Sequence, residues 1–260
     1  MSRYLTERIA FDEECVTGAS GRGLEVRNLS VGYDGNVLLS GLCFELCPGC
    51  LTALLGRNGS GKSTLMKVLS GVSKPLSGHV SVGGVPVSKM KPLEIATKIA
   101  FVNTERIRVS NLKCSDVVAL GRAPYTDWIG RLSERDREIV SNAMETVGMS
   151  AYANRSMDKM SDGECQRIMI ARALAQDTPV ILLDEPTSFL DYPGRKETVA
   201  LLKSLASEMG KTILFSTHDI ELVAGSIDSA LILDPPSGFK ASPERLVNDG
   251  ILKRLFGVTL

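Results

Sequence analysis

The apolar run Leu51 to Leu55 leads directly into Gly56-Arg57-Asn58-Gly59-Ser60-Gly61-Lys62-Ser63, a glycine, four residues, then Gly-Lys-Ser. No other stretch narrows the fold of this chain as far. The spacing reads as a phosphate-binding loop between a buried strand and a helix. Its glycines let the backbone turn tightly, so that the N–H groups of Asn58, Gly59, Ser60 and Gly61 point inward at a phosphate chain. Lys62 then reaches the β- and γ-phosphates, and the Ser63 hydroxyl holds Mg²⁺. Thr64-Leu65-Met66-Lys67-Val68-Leu69 reads as the following helix, whose N-terminal dipole faces the same phosphates.

The 260 residues, 43% of them hydrophobic, suffice for one large α/β domain or two small ones. Lysine plus arginine and aspartate plus glutamate balance at 30 each, so no global charge steers the chain to nucleic acid or an anionic membrane. No stretch approaches the apolar length that spans a bilayer, and the first fourteen residues are charged where a signal peptide is apolar. A cytoplasmic location is expected. The run Cys43-Phe44-Glu45-Leu46-Cys47-Pro48-Gly49-Cys50 has a spacing that suits zinc or an iron–sulfur cluster. Alternation with Glu45, a Pro48-Gly49 turn and the lack of a nearby histidine favour small apolar thiols in a strand and turn instead.

Residues 1–23 end in Gly18-Ala19-Ser20-Gly21-Arg22-Gly23 and read as a flexible leader. From Leu24 onward, alternating segments at 24–29, 37–46, 51–55 and 79–82 suggest a partly antiparallel sheet beside the nucleotide site. A short helix is expected at 92–98 and a strand at 99–102. Residues 105–160 read as a helical insertion. Ser133-Glu134-Arg135-Asp136 resembles a capping box, the apolar residues Ile139, Val140, Ala143, Met144 and Val147 follow at helical spacing, and Gly148 closes that helix.

Alternation of strand and helix then returns. Val180-Ile181-Leu182-Leu183 suits a central parallel strand and ends in Asp184-Glu185. Successive strand residues point to opposite sides, so the two carboxylates divide the work: Asp184 binds Mg²⁺, directly or through water, and Glu185 orients or deprotonates an attacking water. The strand 212–215 ends in Ser216-Thr217-His218-Asp219, which places His218 for a phosphate contact. His79, the other histidine, reads as surface.

In order and spacing these motifs, with Ser188-Phe189-Leu190-Asp191, resemble the ATP-binding subunit of ABC transporters over about residues 24–233. The resemblance implies an α/β fold: a RecA-like core (24–104 and 161–235) with an antiparallel β subdomain, the helical subdomain 105–160 and a tail 236–260. It further implies ATP and Mg²⁺ as ligands, Tyr33 stacked on adenine, Glu185 as catalytic base, His218 as γ-phosphate sensor and Asp191 in a loop communicating between two cassettes. Met160-Ser161-Asp162-Gly163-Glu164 stands where the family has its signature. There Ser161, Gly163 and Glu164 of one copy would face the ATP held by a second copy. Asp162 departs from the usual glycine; it either weakens closure around ATP or caps the helix, and the capping role is the favoured one. Thr104 stands where the family places a glutamine that reaches Mg²⁺ and the attacking water; its hydroxyl, or Glu105, would act there through water.

Leu120-Gly121-Arg122-Ala123-Pro124-Tyr125, with Trp128 and Gly130-Arg131-Leu132-Ser133, resembles the helical segment of ATPases that power iron–siderophore, haem or cobalamin import. The implied protein is a homodimeric ATPase on the inner face of the cell membrane. Its partners would be integral-membrane permease subunits and, indirectly, a periplasmic binding protein, with no nucleic acid. Two other readings stay open: an ABC-type module that closes on ATP with weak hydrolysis, and a soluble cofactor-assembly ATPase.

Overall fold

The structure, a computed structural model, describes residues 23–33, 35–104, 111–223 and 225–248. Nearly all of the expected leader lies outside them, as do Glu105 and the apolar tail residues Leu252, Leu255 and Phe256. The chain opens with two long strands, β1 (Leu24–Tyr33) and β2 (Asn36–Leu46), followed by β3 (Leu51–Gly56) and helix α1 (Lys62–Leu69). Next come β4 (Ser77–Val82), β5 (Val85–Pro86), the short helix α2 (Pro92–Ala96) and β6 (Ile99–Val102). A helical block holds α3 (Cys114–Ala119) and α4 (Glu134–Thr146) and leads into α5 (Asp162–Ala175). The chain returns through β7 (Val180–Leu183), α6 (Tyr192–Met209), β8 (Thr212–Thr217) and α7 (Ile220–Val223) to the hairpin β9 (Ser229–Asp234) and β10 (Ser237–Ala241), then α8 (Pro243–Asn248).

Two sheets result. One is antiparallel, in the order β2-β1-β4-β5, and the other runs β10-β9-β3-β8-β7-β6. Within the second, β3 pairs in parallel with β8 and β9, and β7 in parallel with β8 and β6. Residues 51–55 therefore do not join the antiparallel sheet. All six residues of β3 are buried, which is the mark of a strand covered on both faces, and an apolar run without polar alternation is what such a strand requires. β1 runs four residues past its expected end, because left-handed Asn28 (φ 48) and several register shifts carry the ladder on to Tyr33. The hairpin β9–β10 extends the large sheet into the segment expected as tail.

Period-two alternation divides the core between the two sides of the large sheet. Leu51, Ala53, Leu55, Ile181, Leu183, Ile213 and Phe215 pack toward the helices, whereas Leu54, Val180, Leu182 and Leu214 pack with α1 and the antiparallel sheet. Each fully buried Leu, Ile or Phe contributes roughly 1.5–3 kcal/mol. Both faces are thus apolar, and polar chemistry is left to the strand ends.

The helical block is clamped to the end of α5. Ser133 caps α4 by accepting from the Asp136 N–H at 3.2 Å while Asp136 accepts from the Ser133 N–H at 2.9 Å, the expected capping box. Gly148 (φ 71) follows the helix in the left-handed region. Arg122 donates from Nε to Asp136 at 2.8 Å and from Nη1 to the Ala175 carbonyl at 2.8 Å. The two charged side chains are only 6% and 7% exposed. Gly121 lets this segment come close: a Cβ there would stand 2.3 Å from the Arg172 carbonyl oxygen.

Candidate functional site

The carboxyl ends of β3, β7 and β8 lie side by side, since Leu55 pairs with Thr217 and Leu183 with Phe215. Ligands of open parallel sheets bind outside such strand ends. From β3 the chain enters the glycine loop, where Gly59 (φ 80) and Gly61 (φ 93) adopt backbone angles that other residues resist. Gly56 is required for space, because a Cβ would lie 2.4 Å from Ser60 Oγ. Lys62 is buried and folds back over its own loop, Nζ donating to the carbonyls of Gly56 at 2.9 Å and Arg57 at 3.3 Å. Burial pushes its amine down, opposed by the charges of Glu185 and Asp184. Those carboxylates therefore share the Lys62 environment. Ser60 Oγ is buried without a hydrogen-bond partner. Ser63 is exposed at the start of α1, and no acidic residue occupies the first turn of that helix. A positive amine, an orphaned hydroxyl and an unneutralised helix N-terminus fit a polyphosphate; an exposed Ser63 hydroxyl and a carboxylate at Asp184 fit Mg²⁺. Tyr33, 54% exposed, hydrogen-bonds the Thr64 hydroxyl and so places its ring beside the loop.

Asp184 is buried at the end of β7 and accepts from Ser216 Oγ at 2.6 Å. The same hydroxyl accepts from the Glu185 N–H at 2.8 Å. Glu185 has φ 49, the left-handed region, a conformation that costs on the order of 1–3 kcal/mol outside glycine. Its Oε1 lies 4.0 Å from His218 Nδ1, and its Oε2 accepts from the Ser188 hydroxyl at 3.2 Å. Thr104 Oγ1 donates to the Asp184 carbonyl at 3.1 Å. The strand ends thus gather Lys62, Asp184, Glu185 and His218, and Thr104 meets them through backbone. Sequence reasoning passed over Ser216, which is 0% exposed. Its signal was its place directly after the apolar run Ile213 to Phe215, just before the strand ends at Thr217.

At the start of α5, Ser161 (φ −66, ψ 163) is the N-cap. It accepts from the Glu164 N–H at 3.3 Å, while its own N–H and hydroxyl donate to Glu164 Oε2 at 2.8 and 2.9 Å. These bonds, the backbone one first, hold the Glu164 carboxyl below the usual carboxylate range. The favoured role for Asp162 gives way here. Ser161, in extended backbone, does the capping, and Asp162 is already the first helical residue, where its charge suits the helix dipole. Gly163 faces the next loop, its hypothetical Cβ 3.6 Å from Leu190 Cδ2. Asp191 caps α6 through the Gly194 N–H at 3.0 Å. Arg195 joins this loop to the histidine turn by donating to the Leu190 carbonyl at 2.8 Å and to Asp219 at 2.8 Å.

Fold and site together define an α/β phosphate-loop nucleoside triphosphatase. The sequence pattern of the family described as ABC transporter matches residues 39–188. An uncharacterized ABC transporter ATP-binding protein of Methanocaldococcus jannaschii is 42% identical, over 90% of this chain and 81% of that protein. The iron(3+)-hydroxamate import ATP-binding protein of Bacillus subtilis is 35% identical, over 90% and 88%. The achromobactin transport ATP-binding protein of Dickeya dadantii is 34% identical, over 89% and 87%. Among solved structures, the dimeric ATP-binding cassette in a post-hydrolysis state with ADP and Pi superposes with a TM-score of 0.72 at 26% identity, covering 85% of this chain and 98% of that one. A cassette of Clostridium perfringens, part of the CbiONQ transporter complex, gives 0.79 at 28% identity, covering 90% and 94%. The chain belongs to the ABC transporter family, as an ATP-hydrolysing cassette.

Proposed function

We propose that this cassette hydrolyses ATP at two sites shared between two copies of itself, and that the cycle powers import of a metal chelate such as an iron–siderophore, haem or cobalamin. The observation that carries the catalytic part is the convergence of Lys62, Asp184, Glu185 and His218 at adjoining strand ends. Lys62 would leave the Gly56 and Arg57 carbonyls for the β- and γ-phosphates, with the loop amides and the α1 N-terminus holding the remaining charge. Tyr33 would stack on the adenine. Ser63 and Asp184 would hold Mg²⁺, which supplies neutralisation of charge developing on the phosphates. Glu185 would orient a water for in-line attack and accept its proton, and His218 would contact the γ-phosphate. The segment Ser161, Gly163 and Glu164 of the second copy would close the site, with Asp191 communicating between the two.

Residues 24–104 and 161–235 serve as the ATP-binding core in this reading, and 105–160 as the unit that meets the permease on the inner face of the membrane. Trp128 supports that docking face, being 94% exposed next to the exposed Ile129 in the chain, and Leu120 of the same block is exposed too. Import of iron chelates is supported by the named roles of the Bacillus and Dickeya relatives. No helix among the described residues is long and apolar enough to cross a membrane. A periplasmic binding protein would deliver the cargo. The test expresses the full chain beside a candidate metal-chelate permease. Co-purification, with chelate uptake that is lost on Glu185→Gln, is expected; uptake that survives that change refutes the catalytic assignment, and consistent recovery with a soluble partner alone refutes the transport role.

A further inference from the structure

Glu185 is held in a backbone conformation that its side chain disfavours, and something nearby must hold it there. The Asp184 carbonyl and the Glu185 N–H belong to one peptide plane. Thr104 Oγ1 donates to that carbonyl at 3.1 Å, and Ser216 Oγ accepts from that N–H at 2.8 Å. Thr104 follows β6 and Ser216 sits in β8, the two strands that flank β7. The plane is therefore gripped at both ends from both sides. Each hydroxyl has one proton to give. Ser216 gives its proton to Asp184 Oδ1 at 2.6 Å, which turns a lone pair toward the Glu185 N–H; Thr104 gives its proton to the carbonyl. Rotation of the plane would break both bonds at once, so two side chains that need not touch the nucleotide hold the plane's orientation on the N-terminal side of Glu185. On the other side the Ser188 hydroxyl donates to the Glu185 carbonyl at 2.8 Å and lies 3.2 Å from its carboxylate.

We propose that Thr104 and Ser216 are positioning residues for Glu185, and that Thr104 acts through the Asp184–Glu185 peptide instead of reaching the metal. The proposal rests on the reading that Glu185 orients the attacking water. It also explains how a side chain as short as threonine can serve at this position: it reaches the carbonyl of the neighbouring strand directly, without the length needed to span to a bound ion.

The test uses the full chain. Thr104→Val keeps the shape and removes the hydroxyl, and Thr104→Ser restores it. Thr104→Val is expected to lower kcat about tenfold, while KM for ATP, the half-saturating Mg²⁺ concentration and the affinity for a fluorescent ATP analogue stay within about twofold, differences of order 0.4 kcal/mol at most. Thr104→Ser should recover kcat to within about twofold. Ser216→Ala, which frees Asp184 as well, should lower kcat further and raise the Mg²⁺ requirement. A Thr104→Val chain with undiminished kcat overturns the proposal. So does one whose Mg²⁺ requirement rises about tenfold, since Thr104 would then serve the metal, or an equal loss in Thr104→Val and Thr104→Ser. Glu185→Gln is measured in parallel: if it keeps its rate, the reading of Glu185 fails and the proposal with it, whereas loss there beside an intact Thr104→Val sinks the proposal alone.

Discussion

Replacing Asp136 by alanine should be among the most damaging single changes outside the nucleotide site. Asp136 accepts from the Ser133 N–H at 2.9 Å, the Ser133 hydroxyl at 2.6 Å and Arg122 Nε at 2.8 Å. With the carboxylate gone, Arg122 keeps the Ala175 carbonyl and the face of Tyr125, 3.9 Å away, but its charge stays buried without a counter-ion. Breaking such a pair from one side costs about 3–5 kcal/mol, or about 6–20 °C in Tm for a chain of this size. Asp136→Asn keeps an acceptor for the Ser133 N–H and should cost about 1–3 kcal/mol. Urea denaturation of the wild type, Asp136→Ala, Arg122→Ala and the Asp136→Ala/Arg122→Ala double variant closes a double-mutant cycle, in which a coupling of about 1–3 kcal/mol is expected. The pH dependence supplies an independent check. The Ser133 hydrogen bond first, then Arg122, lowers the Asp136 carboxyl to about 2. A group depressed in the folded state stabilises fully above the unfolded value near 4 and loses that contribution as the pH falls through its folded value. Wild type should therefore lose about 1–2 kcal/mol between about pH 4 and pH 2 that Asp136→Asn does not. Zero coupling, with parallel pH profiles for the two proteins, would refute the argument.

Three further outcomes follow from the geometry. Glu185→Gln should lower kcat at least about 100-fold while ATP still binds, since the change removes the proton acceptor and leaves the phosphate loop intact; steady-state ATPase assays with fluorescent nucleotide titration check both halves. Lys62→Ala should weaken nucleotide binding about tenfold or more by removing a buried cation from the phosphate site, as read by the same titration. Gly121→Ala should destabilise by about 1–3 kcal/mol, because the added methyl meets the Arg172 carbonyl oxygen at 2.3 Å and backbone must shift; thermal melting measures it.

Local chemistry explains which parts of this fold were legible in the sequence. The glycine loop, the capping boxes at Ser133 and the apolar run before Asp184 each depend on residues adjacent in the chain, so their patterns carried through to the structure. Sheet membership does not work that way. Residues 51–55 and the segments at 37–46 and 79–82 all read as strands, yet β3 lies in the parallel sheet while β2 and β4 lie in the antiparallel one. The continuous apolar run of β3 marks a strand buried on both faces, but which strands pair with it, and the helices that cover it, come from segments far along the chain.

The candidate site divides in the same manner. Lys62, Asp184 and Glu185 could be singled out because charged residues at the ends of apolar runs are conspicuous, but what aims them could not. Ser216 is a serine in a run that already contained a histidine, and its role exists only because β8 lies between β3 and β7. Thr104 shows the converse. Its sequence position suggested a short and deficient stand-in for a longer side chain, whereas the fold brings the Asp184 carbonyl to 3.1 Å, where a hydroxyl is long enough. Asp162 was weighed as a cap because aspartate caps helices well in general. The choice between it and Ser161 turned on one backbone conformation, extended at Ser161 and helical from Asp162 onward. In each case the side chain's chemistry was readable from its type, and its partner was set by an approach between distant segments that residue type does not encode.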